Sequence, residues 1–236
     1  MTFGVGTIAL VTGASRGIGA ATAIELARFG VHVVITARTQ GGLEETDDAI
    51  RAAGGSATLL PLGLADGAQI DAIGPSVHQR FGRLDALVHA AGALGRLTPV
   101  AHILPDDWAA VLAANFAATW HLIRTCDPLL RHAPAGRAVF ITDERARAPK
   151  AYWGAYGATK AGMEHLVLTW ADEVRTTALR VNLFDPGPTA TRLRSNAMPG
   201  EDPSTVASPS AVAPALAALC SPDETRHGEL IRFPRG

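Results

Sequence analysis

Short runs of β-branched and apolar residues recur along the chain near 8–11, 32–36, 58–62, 86–89, 138–142, 179–184 and 230–232. Most are apolar throughout rather than alternating with polar residues, the pattern of strands buried on both faces. Between them lie longer, alanine-rich stretches whose apolar residues return every three to four positions. These predict helices over 17–29, 41–53, 67–81, 105–132, 155–175 and 210–220. Strand and helix alternate, as in βαβ units around a parallel sheet. The pattern therefore predicts an α/β protein, a doubly wound seven-stranded parallel sheet with helices on both faces and a ligand crevice at the carboxyl ends of the strands. One tract departs from it: residues 186–209 hold five prolines, two glycines and several Ser/Thr. Following a strand on the crevice side, this tract reads as a surface connection or as a lid over about 188–209.

Composition narrows the partners. A chain of 236 residues with 47% hydrophobic and 18% charged residues is long enough for one large core, so residues 1–236 read as a single domain. A net charge of -1 gives no general attraction to nucleic acid or to anionic lipid. The opening segment lacks a basic region, and no run of about 18 apolar residues occurs, so a cytoplasmic protein with no membrane partner is expected. Cys126 and Cys220 have no metal or redox spacing and read as buried free thiols. A small-molecule substrate is the expected partner.

The candidate chemistry begins after the first strand, at Thr12-Gly13-Ala14-Ser15-Arg16-Gly17-Ile18-Gly19. Glycines between a strand and a helix allow a tight turn and close backbone approach, so that a pyrophosphate can rest on the helix N-terminus, the Rossmann arrangement. The second strand ends at Thr36-Ala37-Arg38, where a carboxylate would mark a free ribose 2′-hydroxyl and an arginine a 2′-phosphate. Arg38 and Arg16 thus favour NADP(H) over NAD(H), unless both are merely solvated loop residues. Tyr156 and Lys160 stand four apart on a predicted helix, hence on one face, and Lys160 is one of two lysines in the chain. An ammonium beside the phenol is expected to lower its pKa toward a range useful for proton transfer. No HExxH, tight histidine cluster or GxSxG elbow is present, so no metal site is expected.

Together with His89-Ala90-Ala91-Gly92, Asn115 and Asp185-Pro186-Gly187 followed by Thr191, these segments resemble the short-chain dehydrogenases/reductases over nearly the whole chain. Trp153-Gly154-Ala155-Tyr156, the His89 variant and the segment at 196–203 look most like a bacterial branch, the YciK-type oxidoreductases. The resemblance implies that Tyr156 is the acid/base and that Lys160 tunes it and binds the nicotinamide ribose. It implies that Asn115 holds a water of a proton relay. Gly13, Ser15, Arg16, Gly17, Ile18, Gly19, Ala91, Gly92, Pro186, Gly187, Thr189 and Thr191 would then border the cofactor.

Three positions depart from the family. His89 or Ala90 replaces an asparagine, and we expect His89 to bond neighbouring backbone. Gly63 stands where an aspartate usually receives the adenine amino group. Asp143 occupies the place of the catalytic serine, thirteen residues before Tyr156. A serine hydroxyl donates to a carbonyl oxygen as charge builds there, whereas a carboxylate only accepts. Thr142, one place earlier, should point to the opposite face. A protonated Asp143 could donate, burial raising its pKa and Arg145 and Arg147 lowering it again; in another reading it merely caps the turn or pairs with an arginine. The expectation is an NADP(H)-dependent oxidoreductase acting on a carbonyl or alcohol substrate, with a catalytic set of Asn115, Asp143, Tyr156 and Lys160. The alternative is a dinucleotide-binding sensor whose chemistry is attenuated at Asp143. The apolar helices at 105–132 and 155–175, as in family members that pair them, imply a homodimer or homotetramer.

Overall fold

In a computed structural model that describes residues 1–234, seven strands form one all-parallel sheet. They are β1 Ile8–Thr12, β2 His32–Ala37, β3 Ser56–Pro61, β4 Ala86–His89, β5 Arg137–Ile141, β6 Arg180–Asp185 and β7 Leu230–Arg232, in the order β3-β2-β1-β4-β5-β6-β7. Alternate residues along each strand feed two cores. Leu10, Val34, Leu87, Phe140 and Leu183 face one layer, against Leu122, Met163 and Val167. Val11, Ile35, Val88, Val139 and Ile141 face the other, against Leu26, Leu43 and Leu216. Burial on both faces is why the strands read as unbroken apolar runs. The first of these helical layers holds α4 Ile73–Phe81, α6 Ala118–His132 and α7 Gly154–Val174; the second holds α1 Gly17–Arg28, α2 Gln40–Ala52 and α9 Pro209–Leu219. Among the described residues no helix is long and apolar enough to cross a membrane.

Two predicted helices are interrupted. The stretch at 67–81 breaks at Ala72 into α3 Gly67–Asp71, capped by the Asp66 carboxylate, and α4. The break lets α4 close on α6, where a Cβ on Gly74 would lie 2.2 Å from the Thr125 carbonyl oxygen. The stretch at 105–132 divides into α5 Pro105–Leu112 and α6, joined by a π-helical turn over Ala113–Ala117 that turns Asn115 fully inward. The tract at 186–209 is less irregular than its composition suggests, since it contains α8 Arg192–Ala197 and a 3₁₀ turn at Pro203–Thr205. Thr191 and Asp202 supply the capping side chains.

The strand order reverses between β1 and β4, which pair in register with Thr12 opposite His89. A crevice at the carboxyl ends of these two strands is where a doubly wound sheet binds its ligand. The segments after β1, β4, β5 and β6 converge on it.

Candidate active site

The glycine turn is shaped by close approach. Gly13 has φ of +67°, and a Cβ there would stand 2.7 Å from the Ala91 backbone; one on Gly19 would stand 2.4 Å from the Gly13 carbonyl oxygen. The turn therefore rests against the loop after β4, and α1 packs directly on the turn. Hydrogen bonds pin it from the flanks: Ala14 N donates to Thr36 O at 3.2 Å, Thr46 Oγ1 to Ala14 O at 2.8 Å, and Ala91 N to Thr12 Oγ1 at 3.3 Å. Arg16 enters α1 in extended conformation with no side-chain cap, and the first turn carries no acidic residue. Unpaired N–H groups and the positive end of the helix dipole are left facing the crevice. These N–H groups at a helix N-terminus fit the pyrophosphate of a dinucleotide. Ser15 packs against Gly42, Ile18 against the second core, and Gly17 lies beside Thr191 of the tract after β6.

Arg16 and Arg38 are exposed, and among the described residues neither forms an ion pair. The Arg38 stem runs past Gly63, within 3.7 Å of where its Cβ would be. No carboxylate stands at Gly63, and Asp66 is committed to Ala68 N and Gln69 N at 3.0 and 3.2 Å.

Deeper in the crevice, Asn115, Tyr156, Lys160 and Asp143 come together. Asn115 Oδ1 accepts from Ala93 N at 2.7 Å, and its Nδ2 donates to Ala93 O at 2.8 Å and to Thr159 Oγ1 at 3.1 Å. The amide thus ties the loop after β4 to the helix that carries Tyr156 and Lys160. A Cβ on Gly92 would lie 3.4 Å from Asn115 Oδ1 and 3.8 Å from Lys160 Nζ, so that loop passes directly over both. On the far side, Gly187 has φ of +64° and its N–H donates to Asp185 Oδ1 at 3.0 Å, while Thr189 is buried against the Pro186 and Gly187 carbonyls.

Asp143 does two things at once. It caps the turn after β5, accepting from Arg145 N at 2.8 Å, and it accepts a hydrogen bond from the Tyr156 hydroxyl. Thr142 points the opposite way, as strand alternation requires, and donates to Glu164 Oε1 at 2.5 Å. Lys160 is buried, and its Nζ donates to the Ile141 carbonyl at 2.7 Å. Burial lowers its pKa to about 8, against the opposing pull of Asp143 and Glu164.

The expected acidification of Tyr156 is overturned. Its pKa is pushed well above 10, first by burial, then by the negative charges of Asp143 and Asp185 and by the hydrogen bond to Asp143. Two carboxylates and a dry environment outweigh one ammonium. The expectation for His89 is also corrected: its Nδ1 pairs with the Thr12 hydroxyl at 2.8 Å rather than with backbone, and its buried Nε2 has no partner among the described residues. Burial, with the charge of Lys160, lowers its pKa to about 3, so it is neutral.

Arg147, Glu164 and Asp185 escaped the sequence reading as a unit. The Arg147 guanidinium bridges Glu164 on α7 and Asp185 Oδ2 at the end of β6, the latter at 2.6 Å, tying the turn that bears Asp143 to both elements. Arg145 pairs with Glu144. The expected action of these two arginine side chains on Asp143 is therefore replaced by bonds to other carboxylates. The Lys160/Glu164 spacing of four was the one readable signal. Above the site, Trp153 and Tyr156 meet edge to face at 5.7 Å, and Leu94, Leu97, Leu193, Ala197 and Met198 pack around them. Three of these five belong to the tract after β6, which lies over the tyrosine.

A family model for short chain dehydrogenases matches residues 7–202. The uncharacterized oxidoreductase YciK of Escherichia coli K12 is 34% identical over 222 residues, spanning 93% of this chain and 88% of that protein. A short chain dehydrogenase structure from Pseudomonas syringae aligns with a TM-score of 0.92 at 35% identity, covering 98% of this chain and 99% of that one. Another from Shigella flexneri, crystallised with NADP, gives 0.91 at 32% identity and covers 96% of each chain.

Proposed function

Because the chain belongs to the short-chain dehydrogenase family, and is an oxidoreductase of that family, we propose that it uses NADP(H) in preference to NAD(H). The observation that carries this reading is a pair of exposed arginines, Arg16 and Arg38, without an ion pair among the described residues, beside a glycine turn and with no acidic residue at the end of β2. A 2′-phosphate held by them would receive charge-assisted bonds that NADH cannot use. The cradle at Gly13, Ser15, Gly17, Ile18 and Gly19 would hold the pyrophosphate. Ala91, Gly92, Pro186, Gly187, Thr189 and Thr191 would border the nicotinamide half. When bound, the dinucleotide supplies or accepts a hydride. Tyr156 is the group placed to give or take a proton, Lys160 keeps a positive charge beneath the ribose side, and Asn115 fixes the loop over both. Both Nδ2 hydrogens of Asn115 are spent on Ala93 and Thr159, so a relay water would donate to the remaining lone pair of Oδ1 or to the Asn115 backbone carbonyl, which also accepts from Thr119 Oγ1 at 3.0 Å. The tract at 188–209 serves as the lid, its Leu193, Ala197 and Met198 closing the substrate space. We place the protein in the cytoplasm, in keeping with two buried unpaired thiols, and assign it a homo-oligomeric state.

Titration with NADPH and NADH, read by nucleotide fluorescence, tests the reading. NADPH should bind at least several-fold more tightly, and Arg38→Asp should erase the preference; equal affinities in the unaltered protein would reject it. A second reading is favoured by Asp143, whose carboxylate stands where carbonyl reduction needs a donor: a dinucleotide-binding sensor with slow chemistry. Binding without turnover of any carbonyl, imine, alcohol or amine would select it.

A further inference from the structure

We propose, resting on the oxidoreductase reading above, that the substrate of this site bears nitrogen at its reacting carbon. It would be an apolar-bodied iminium ion, or in the reverse direction the corresponding secondary amine, instead of a ketone or an alcohol.

Three observations converge. The group facing the Tyr156 hydroxyl is the Asp143 carboxylate, which accepts hydrogen bonds from Arg145 N at 2.8 Å and from the phenol and can donate none. The cations around it spend their hydrogen bonds elsewhere, Lys160 and Arg194 acting on Asp143 only through space. Lys160 Nζ is on the Ile141 carbonyl, Arg147 lies between Glu164 and Asp185, Arg145 pairs with Glu144, and the Arg194 fork grips Glu201 at 2.7 and 2.6 Å. Among the described residues none of them forms an ion pair with Asp143. A half-buried carboxylate with free lone pairs is thus left beside the apolar cluster of Leu94, Leu97, Trp153, Leu193 and Met198. The ligand that complements such a site has an apolar body and one positively charged N–H donor, with the Trp153 and Tyr156 rings adding attraction for the cation.

The proton balance agrees. Ketone reduction draws a proton from Tyr156 and leaves a tyrosinate, which burial and two neighbouring carboxylates disfavour. For an iminium ion, R₂C=NHR′⁺, one hydride equivalent from the reduced dinucleotide forms the new C–H bond. The C=N π pair moves onto nitrogen, which becomes a neutral secondary amine and keeps its proton. No proton leaves the protein. Asp143 keeps the imine nitrogen protonated, the form that accepts hydride. In the reverse reaction it stabilises the positive charge that builds on nitrogen.

The experiment uses the full chain with NADPH and two probes of matched size, 2-methyl-1-pyrroline and cyclopentanone, together with binding of 2-methylpyrrolidine to the NADP⁺-loaded protein read by tryptophan fluorescence. The imine should be consumed about tenfold faster than the ketone or more, and Asp143→Asn should weaken imine turnover and amine binding by about tenfold each, the loss of one charged hydrogen bond. Asp143→Ser should reverse the preference. Should NADPH bind and the ketone turn over faster than the imine in the unaltered protein, the inference fails and the oxidoreductase reading stands. Absence of NADPH binding overturns both. Asp143-dependent amine binding without turnover of either probe would reject the oxidoreductase reading and leave the charge selection standing. Amine binding indifferent to Asp143→Asn overturns the inference.

Discussion

At the scale of single residues, two side chains set the character of the site. Asp143 removes one donor from the position of a carbonyl oxygen, an element whose loss typically costs about 2.7 to 4 kcal/mol of transition-state stabilisation. Asp143→Ser should therefore raise NADPH-dependent reduction of an activated ketone by tens to hundreds of fold, as measured by initial rates on one ketone. No change would place Asp143 outside the reacting centre, despite its bond to Tyr156. His89 makes the second prediction. Its folded-state pKa of about 3 lies below the ordinary 6.5, so between those values the unfolded chain binds the more protons and stability falls as pH falls. From pH 7.5 to pH 5 this one group should remove about 2 kcal/mol. His89→Asn cannot titrate, and its urea unfolding should lose less stability over that interval by about the same amount. Parallel losses in the two proteins would mean that the buried imidazole is reached by water or gains a partner as it charges.

At the scale of elements, backbone strain collects just before α7. Tyr152 has φ of +75° with a side chain 57% exposed, a conformation that favours glycine or asparagine and costs other residues about 1 to 2 kcal/mol. Its backbone carbonyl accepts from Thr98 N at 3.2 Å, a bond that survives any change of side chain. Tyr152→Asn should stabilise the protein by about 0.5 to 1 kcal/mol in urea unfolding, and a destabilised variant would show that the exposed ring makes contacts worth more than the strain. The same region shows what the sequence reveals and what it hides. The sheet was readable because burial on both faces writes continuous apolar runs, and the glycine turn because only glycine fits at Gly13 and Gly19. The π-helical turn at Asn115 was not, since Ala113–Ala117 suits an ordinary helix equally well and only packing against α7 selects the wider turn. The Arg147 bridges were hidden because their partners lie 17 and 38 residues away. The positions of Tyr156 and Lys160 were legible from their spacing. The direction of the tyrosine pKa was not, because it depends on how near Asp143 and Asp185 come in space.

At the scale of the whole molecule, three helices carry large apolar side chains facing water. Trp108 on α5, Trp120 on α6 and Leu168 on α7 are 41%, 46% and 37% exposed, while the opposite sides of α6 and α7 fill the first core. α5 also packs on α7, and Phe116 of the π-helical turn sits against Gly162, so the three helices form one continuous layer. Scattered exposed apolar residues are ordinary, but tryptophans on adjoining helices of one layer are the kind of surface that a second copy covers, and closed two-fold pairing is the default for like subunits. With a net charge of -1 no strong long-range repulsion opposes it. Light scattering should give a dimer or tetramer at working concentrations. Trp120→Glu combined with Leu168→Glu should give a monomer, because burying two unpaired carboxylates against their own symmetry mates costs several kcal/mol. NADPH affinity provides the control: neither residue is among those that shape the glycine cradle, so a monomer that still binds NADPH separates assembly from the site. A monomeric unaltered protein would mean that these side chains are covered by nothing, and a double variant that stays oligomeric would move the interface to another face of the sheet.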